Sequence, residues 1–411
     1  MMTLGVPLKV MRVVVMWPRF GPYHLARLNA ADMQFQEHDA KLLALETARS
    51  EATYQWDVVD EPVAVERHIL FPESDYCDLQ SREIRAMVFE YFARIKPRAV
   101  AVCGWDFPES VAALRWCRRN GVPCILMSAS THRDAKRYFW KEWLKGRLVR
   151  CFSAALVAGR PQKDYVTKLG MSPERVFTGY DAVDNEYFSC QAEAVRANEQ
   201  EYRARYGLPL RYFLSSNRFI PVKNLFRLLA AYAKYREGIT DPWDLVLLGD
   251  GELMPQMRQS IQDMHLQECV VLPGFKQYDE LPAYYGLASC LVLASTSETW
   301  GLVVNEAMAS GLPVLVSKAC GCCDDLVREG QNGFSFDPLD IDEMAEKMRV
   351  ISHGGCDLGK MGQVSRDIIA PWGCDNFGRN LWKAAQCAVE HPVRNRDPIA
   401  SILLRVLTSV R

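Results

Sequence analysis

No apolar run in the 411 residues approaches the roughly 20 needed to cross a bilayer. A membrane-spanning helix is therefore not what organises the chain. An excess of either charge is also missing. The 49 Lys and Arg nearly match the 50 Asp and Glu, for a net charge of -1 with His neutral, so nothing draws the chain to nucleic acid in bulk. There is no tandem repeat and no low-complexity tract. The start, MMTLGVPLKVMRVVVMW, has no small-residue cleavage site after a long apolar core and reads as a short lead into a buried strand, not a signal peptide. A third glycine is missing from the loop at 249–253, GDGEL, because Met254 stands in its place; with no acidic residue set for an adenosine ribose, this argues against an NAD site. Cys320, Cys322 and Cys323 lack a fourth ligand, so no metal site is expected there.

What is present fits a globular chain of two domains, since single cores stop growing near roughly 250–300 residues. The fourteen cysteines are scattered, and Cys103, Cys124 and Cys290 sit in apolar runs. Reduced, buried thiols in a cytoplasmic protein are the expectation. Residues 12–17, RVVVMW, form a continuous apolar run suited to a parallel strand buried on both faces. A loop with Gly21-Pro22 follows, then a helical pattern from His24, Leu25 and Leu28. Strands are predicted at 40–46, 63–71, 99–103, 123–127 and 153–158, and helices at 82–95 and from Pro108 to Arg119. This alternation predicts an α/β fold with doubly wound parallel sheets. Residues 128–152 are basic with interleaved aromatics. A charged helix packed on the domain, a face for an anionic acceptor or membrane headgroups, and a nucleic-acid contact are three readings of them, the last disfavoured by the balanced charge. The segment 176–188 reads as loop, and a composition shift near 188–207 marks the boundary. The expected domains are 1–190 and 191–389, and the tail at 398–410 is apolar enough to dock on something.

A second α/β unit opens with a strand at 211–216. Arg218 and Lys223 follow in a loop, where a planar guanidinium and an ammonium suit a diphosphate, and Asn224 is placed to cap the next helix. A strand at 244–248 runs into Gly249, and one at 270–272 leads to Gly274, Phe275 and Lys276. The densest signal is 295–317, STSETWGLVVNEAMASGLPVLVS, read as loop, helix and strand. Gly301 permits a sharp turn and close ligand approach. A helix starting near Leu302 presents free N–H groups and a positive dipole end to a phosphate. Glu306, one turn in, can accept two ribose hydroxyls. Glu298, before the turn, can hold sugar hydroxyls or stabilise positive charge at a sugar carbon. Without that context, the same two residues read as a surface Glu and a Glu that complements a helix dipole.

Together these pieces resemble the retaining glycosyltransferases of family four, which have the two-domain GT-B fold. The matching residues are Arg218 with Lys223, LLGDGEL at 247–253, LPGF at 272–275, the Glu-x7-Glu pair at 298 and 306, EAMASGLPVLVS at 306–317 and NGFSFDP at 332–338. VFTGYDAVDNEYF, at 176–188, is similar to the segment before that family's linker, and the resemblance covers most of 150–390. It implies two Rossmann-like domains, 1–190 and 191–389, facing across a cleft, with a C-terminal helix at about 390–411 packing back on the first. The second would hold a nucleoside-diphosphate sugar, UDP- or GDP-linked, and the first a glycan, lipid-linked or small-molecule acceptor. Arg218 and Lys223 would bind the diphosphate and Glu306 the ribose. Glu298 with the backbone at Gly301, Leu302 and Val303 would bind sugar and phosphate, with Gly249 in the donor loop and Phe275 and Lys276 beside the base. No DxD sits at a strand end, and neither metal nor cofactor is expected. The first domain departs from the family: Phe20-Gly21-Pro22 replaces a Gly-Gly loop, and Ser128 stands where many members carry His. Gly21, His24 and His132 are the acceptor-side candidates. A cytoplasmic location is expected, with 136–152 as a peripheral contact at the inner face of a membrane. Other GT-B enzymes, a nucleotide-sugar epimerase or an inverting transferase, and a non-catalytic nucleotide-sugar-binding protein are the alternatives.

Overall fold

A computed structural model describes residues 10–51, 56, 64–393 and 397–408. The start of the lead at 1–9, the first residue of the strand expected at 63–71 and the ends of the tail at 394–396 and 409–411 lie outside the described residues.

The first domain contains strands β1 (Met11–Trp17), β2 (Ala40–Ser50), β3 (Glu66–Asp75), β4 (Ala99–Cys103), β5 (Cys124–Ser128), β6 (Ala154–Val157) and β7 (Val176–Thr178). Between them run helices α1 (Pro22–Gln36), α2 (Ser81–Ile95), α3 (Pro108–Asn120), α4 (Phe139–Val149) and α5 (Arg160–Lys168). All pairs are parallel, in the order β3-β2-β1-β4-β5-β6-β7. Alternation along each strand serves two cores. Val14, Met16, Val100 and Val102 pack with α2 and α3 on one face, whereas Val13, Val15, Ala99 and Ala101 pack with α1 on the other.

Helices α6 (Asn185–Ala197) and α7 (Glu199–Tyr206) lead into the second sheet, β8 (Tyr212–Ser216), β9 (Asp244–Leu248), β10 (Val270–Gly274), β11 (Cys290–Leu293), β12 (Val314–Ser317) and β13 (Gly333–Phe336). Its helices are α8 (Leu225–Arg236), α9 (Met254–Asp263), α10 (Leu281–Leu287), α11 (Leu302–Ala309), α12 (Cys323–Leu326), α13 (Ile341–His353) and α14 (Leu358–Ile369). The order is β10-β9-β8-β11-β12-β13, again parallel.

The chain crosses between domains away from the composition shift. Sheet one ends at Thr178. Phe188 and Val195 of α6 already lie in the second core, with Tyr284 and Val304. The segment read as loop at 176–188 thus holds β7 and the start of α6. The return also begins earlier than 390. Helix α15 (Cys374–Glu390) puts Phe377, Leu381 and Ala385 into the first domain's core beside Phe35 and Leu28. Last comes α16 (Pro398–Leu407), whose Ala400 and Leu404 pack with the α3 side of the same domain. None of the fourteen cysteines is in a disulfide.

Candidate functional site

Strand order reverses between the neighbours β8 and β11, so the loops leaving them diverge and open a crevice at their carboxyl ends. The β8 loop carries Ser216, Asn217, Arg218 and Lys223; the β11 loop carries Glu298 and Gly301. Lys223 and an acid 75 residues further on, Glu298, therefore meet for a topological reason. Lys223 Nζ pairs directly with Glu298 Oε2, each side chain 18% exposed. Asn224 makes no side-chain cap for α8, contrary to expectation. Its amide donates instead to the carbonyls of Ala294 (3.0 Å) and Pro338 (2.7 Å), which ties the Lys223 turn to the end of β11.

The β9 loop closes on the β8 loop. Gly249 has φ +130°, and a Cβ there would lie 1.8 Å from the Asn217 carbonyl oxygen. Phe219 N donates to Asp250 O at 2.8 Å, and Leu253 N to Phe219 O at 3.0 Å. Gly301 caps α11 at φ 111°, in the left-handed region that glycine tolerates.

Glu306 follows on α11 and is 1% exposed. Burial pushes its carboxyl up to about 7, partly opposed by the Tyr285 and Tyr23 hydroxyls. Tyr23 comes from the first domain: its hydroxyl donates to Glu306 Oε1 at 2.7 Å, across 283 residues of sequence. Its ring meets Trp56 and Tyr278 edge-on, at 5.9 Å and 5.4 Å, and Trp56 meets Phe275 at 5.3 Å. A cavity of about 220 Å³ results. Arg218, Lys223, Gly249, Phe275, Lys276, Val303 and Glu306 line it from the second domain, and Tyr23 and Trp56 from the first. The Arg218 guanidinium has no ion-pair partner among the described residues. Glu298 reaches this cavity through Lys223, while Gly301 and Leu302, at the start of α11, are not among the residues that line it.

Both domains hold the Glu298 loop. Gln162, at the start of α5 and 0% exposed, donates from Nε2 to Thr299 O at 2.6 Å and accepts from Gly159 N at 3.0 Å. Asp325 of the second domain accepts from Arg160 N at 2.8 Å and so supplies the cap that Gly159 cannot. From behind, Gly321 N donates to Glu298 O at 3.0 Å, and Cys322 N to Trp300 O at 3.1 Å. The adjacent thiols of Cys320, Cys322 and Cys323 are buried, and burial pushes all three up. Among the described residues no group of three metal-ligating side chains converges.

The acceptor-side candidates lie elsewhere. Gly21 N donates to His24 Nδ1 at 3.1 Å. The His24 ring packs against Trp17 and Phe20, and burial lowers it to about 3, so it is neutral near pH 7. His132 is exposed and lines a separate cavity of about 490 Å³ with Arg160, Tyr165 and Lys168. Neither histidine lines the cavity that holds Glu306. Sequence reasoning missed Tyr23, Trp56 and Gln162. Tyr23 stands between two residues that were singled out, Gly21 and His24, and its aromatic hydroxyl was the available signal.

Residues 198–366 match the family model for glycosyl transferases group 1. That match falls within the second domain. Among curated proteins, the chain is 32% identical to the sulfoquinovosyl transferase of Arabidopsis thaliana, over 36% of this chain and 27% of that one. It is 33% identical to the alpha-monoglucosyldiacylglycerol synthase of Streptococcus pneumoniae, over 30% and 28%. It is also 28% identical to a UDP-Gal:alpha-D-GlcNAc-diphosphoundecaprenol alpha-1,3-galactosyltransferase of Escherichia coli, over 55% and 59%. The chain thus spans under a third of the first two relatives and under two thirds of the third. Among solved structures, an Anabaena protein in complex with UDP and glucose superposes with TM-score 0.70 at 16% identity, covering 91% of this chain and 98% of that one. A sucrose-phosphate synthase from Thermosynechococcus elongatus does so with TM-score 0.69 at 16% identity, over the same shares. These likenesses, with the two parallel sheets, establish the GT-B fold.

Proposed function

We propose that the chain is a retaining, metal-independent glycosyltransferase that moves a sugar from a UDP- or GDP-linked donor to a glycan or lipid-linked acceptor. The observation that carries this reading is the gathering of Arg218, Lys223 and Glu306 around one cavity, with Glu298 ion-paired to Lys223 at its edge. Each residue then has a task. Arg218, with no ion-pair partner among the described residues, forks onto the diphosphate. Lys223 turns from Glu298 toward the same charge as it grows on the departing oxygen. The first N–H groups of α11 face phosphate. Glu306 accepts the ribose hydroxyls in place of the Tyr23 hydroxyl. Freed from Lys223, Glu298 stabilises positive charge at the sugar carbon or binds sugar hydroxyls.

In the reaction, the bond between the anomeric carbon and the diphosphate oxygen breaks and its electron pair leaves with the diphosphate. An acceptor hydroxyl attacks the same face, and its proton passes to the departing phosphate oxygen. No enzyme nucleophile or cofactor is needed. Fixed cations stabilise the leaving group without a metal, and this is what supports the metal-independent reading.

The experiment is transfer from UDP- and GDP-sugars to glycan and lipid-linked acceptors, with the product's anomeric configuration read by NMR. Retention of the donor's configuration in a chelator, and loss of transfer in Glu298→Ala, are expected. Inverted product, a chelator-sensitive rate, or full activity in Glu298→Ala would overturn the assignment. One relative's printed name is that of a monoglucosyldiacylglycerol synthase and another's includes a diphosphoundecaprenol-linked sugar, which favours the lipid-linked class.

A further inference from the structure

The cavity leaves one conspicuous surface without a task. Helix α4 exposes Phe139 at 88%, Trp140 at 50% and Trp143 at 47%. Large aromatics in such a row, two of them at helical i, i+3 spacing, would be costly on a face that meets only water. Nearby α16 exposes Ile399 at 38%, Ile402 at 61% and Val406 at 50%, positions that fall on one helical face. Its opposite face is anchored through Ala400 and Leu404, so this apolar stripe belongs to a docked helix.

The two stripes adjoin. The Trp143 ring stacks on the Arg147 guanidinium, 4.7 Å from its centroid. Arg147 Nη1 bonds Asp397 Oδ2 at 2.9 Å, and Asp397 caps α16 through the N–H groups of Ile399 and Ala400. Charge at this surface is one-sided. Both acids of 128–152 are satisfied internally: Asp134 by Arg137, and Glu142 by Lys145 and the Tyr165 hydroxyl. Lys141 lies over the Tyr138 and Trp140 rings with its ammonium 5.2 Å and 5.3 Å from their centroids, and Lys136 lies over Tyr138 at 5.7 Å. An apolar stripe rimmed by Trp, Tyr and Lys suits the boundary between acyl chains and anionic headgroups.

We infer that α4 and α16 together form a docking face for a bilayer carrying anionic lipid. The partner is a lipid surface, not a protein, because the cations ring the aromatics and, among the described residues of α4, α16 and the segments leading into them, the acids Asp134, Glu142 and Asp397 are already paired. This surface stands apart from the donor cavity, so it holds or fails independently of the proposed reaction.

Vesicle flotation tests it, with the full chain and no nucleotide. Vesicles of phosphatidylcholine alone are compared with vesicles containing phosphatidylglycerol, and with others bearing brominated acyl chains. Binding to the anionic vesicles should exceed binding to neutral ones by about tenfold at low salt and fall as salt rises. Brominated chains should quench tryptophan fluorescence. The F139S/W140S/W143S variant should bind about tenfold or more weakly, and Ile402→Asn with Val406→Asn should weaken binding independently. Nucleoside-diphosphate titration of each variant would show that it remains folded, since the altered residues lie outside the donor cavity. Failure to float with anionic vesicles, or undiminished flotation of both variants, would overturn the inference. So would self-association of the wild type, in sedimentation velocity without lipid, that the variants abolish, because the face would then be an interface between copies.

Discussion

Removing one hydroxyl should make the donor bind more tightly. Tyr23 donates to Glu306 Oε1 at 2.7 Å, and Glu306 is 1% exposed with its carboxyl pushed up to about 7. A nucleotide whose ribose takes that carboxylate must first displace the tyrosine. Near pH 7 the carboxyl is about half ionised, between a neutral acceptor, for which a hydrogen bond nets about 1 kcal/mol, and a charged one, for which it nets about 1.5–3 kcal/mol. Tyr23→Phe keeps the ring against Trp56 and Tyr278 and deletes only the hydroxyl. The unliganded protein should lose about 1–2 kcal/mol, and the liganded protein much less, because ribose hydroxyls then satisfy the carboxylate. Calorimetric titration with a nucleoside diphosphate should show about 5–30-fold tighter binding to Tyr23→Phe, alongside a lower unliganded Tm. Equal or weaker binding by a variant of unchanged stability would show that Tyr23 does not occupy the ribose position.

Glu306 also sets a pH dependence. Its folded-state value, about 7, lies above the ordinary 4.5, so the folded protein binds the extra proton between these values. Stability from this group is therefore full below about 4.5 and declines as pH rises toward 7, by on the order of 3 kcal/mol. Donor affinity should move the opposite way and rise toward pH 8; Glu306→Gln should flatten both trends in thermal melts and titrations at several pH values. Lys223→Ala removes the proposed diphosphate contact and leaves Glu298 without its ion pair, so donor affinity should fall about tenfold in the same titration. Gln162→Leu frees the Thr299 carbonyl and loosens the Glu298 loop; transfer kcat should drop about tenfold while nucleoside-diphosphate affinity holds, and equal losses in both would assign Gln162 to general stability. Gly249→Ala places a Cβ 1.8 Å from Asn217 O at φ +130°, so Tm and donor binding should fall together.

What could be read from sequence was what neighbours in sequence determine. RVVVMW and DLVLL are short apolar runs and became β1 and β9. Gly301 and the amphipathic stretch after it became the cap and body of α11. Arg218, Lys223 and Glu306 gathered at one cavity because loops at the ends of adjoining parallel strands share one edge of the sheet. Contacts between domains were hidden. Tyr23 meets Glu306 across 283 residues, and Gln162 meets Thr299 across 137, and no local pattern marks either pairing. His24 looked chemical because it stands at a loop that follows a strand, yet packing against Trp17 turned it inward. Helix α14 escaped notice because Gly359 and Gly362 lower its propensity. Gly362 is there for contact: a Cβ would lie 2.1 Å from the Gly311 carbonyl oxygen beyond α11. Asn224 follows the usual composition of a cap but serves as a tether between loops, a role that depends on Ala294 and Pro338 arriving from elsewhere.

The most direct measurement is a calorimetric titration of UDP- and GDP-sugars into the wild type and into Arg218→Ala and Glu306→Ala. Saturable binding of one donor at one site, weakened about tenfold or more in each variant with folding intact, is expected. Undiminished affinity in both variants, or no binding of any donor to the wild type, would contradict the placement of the donor between these residues.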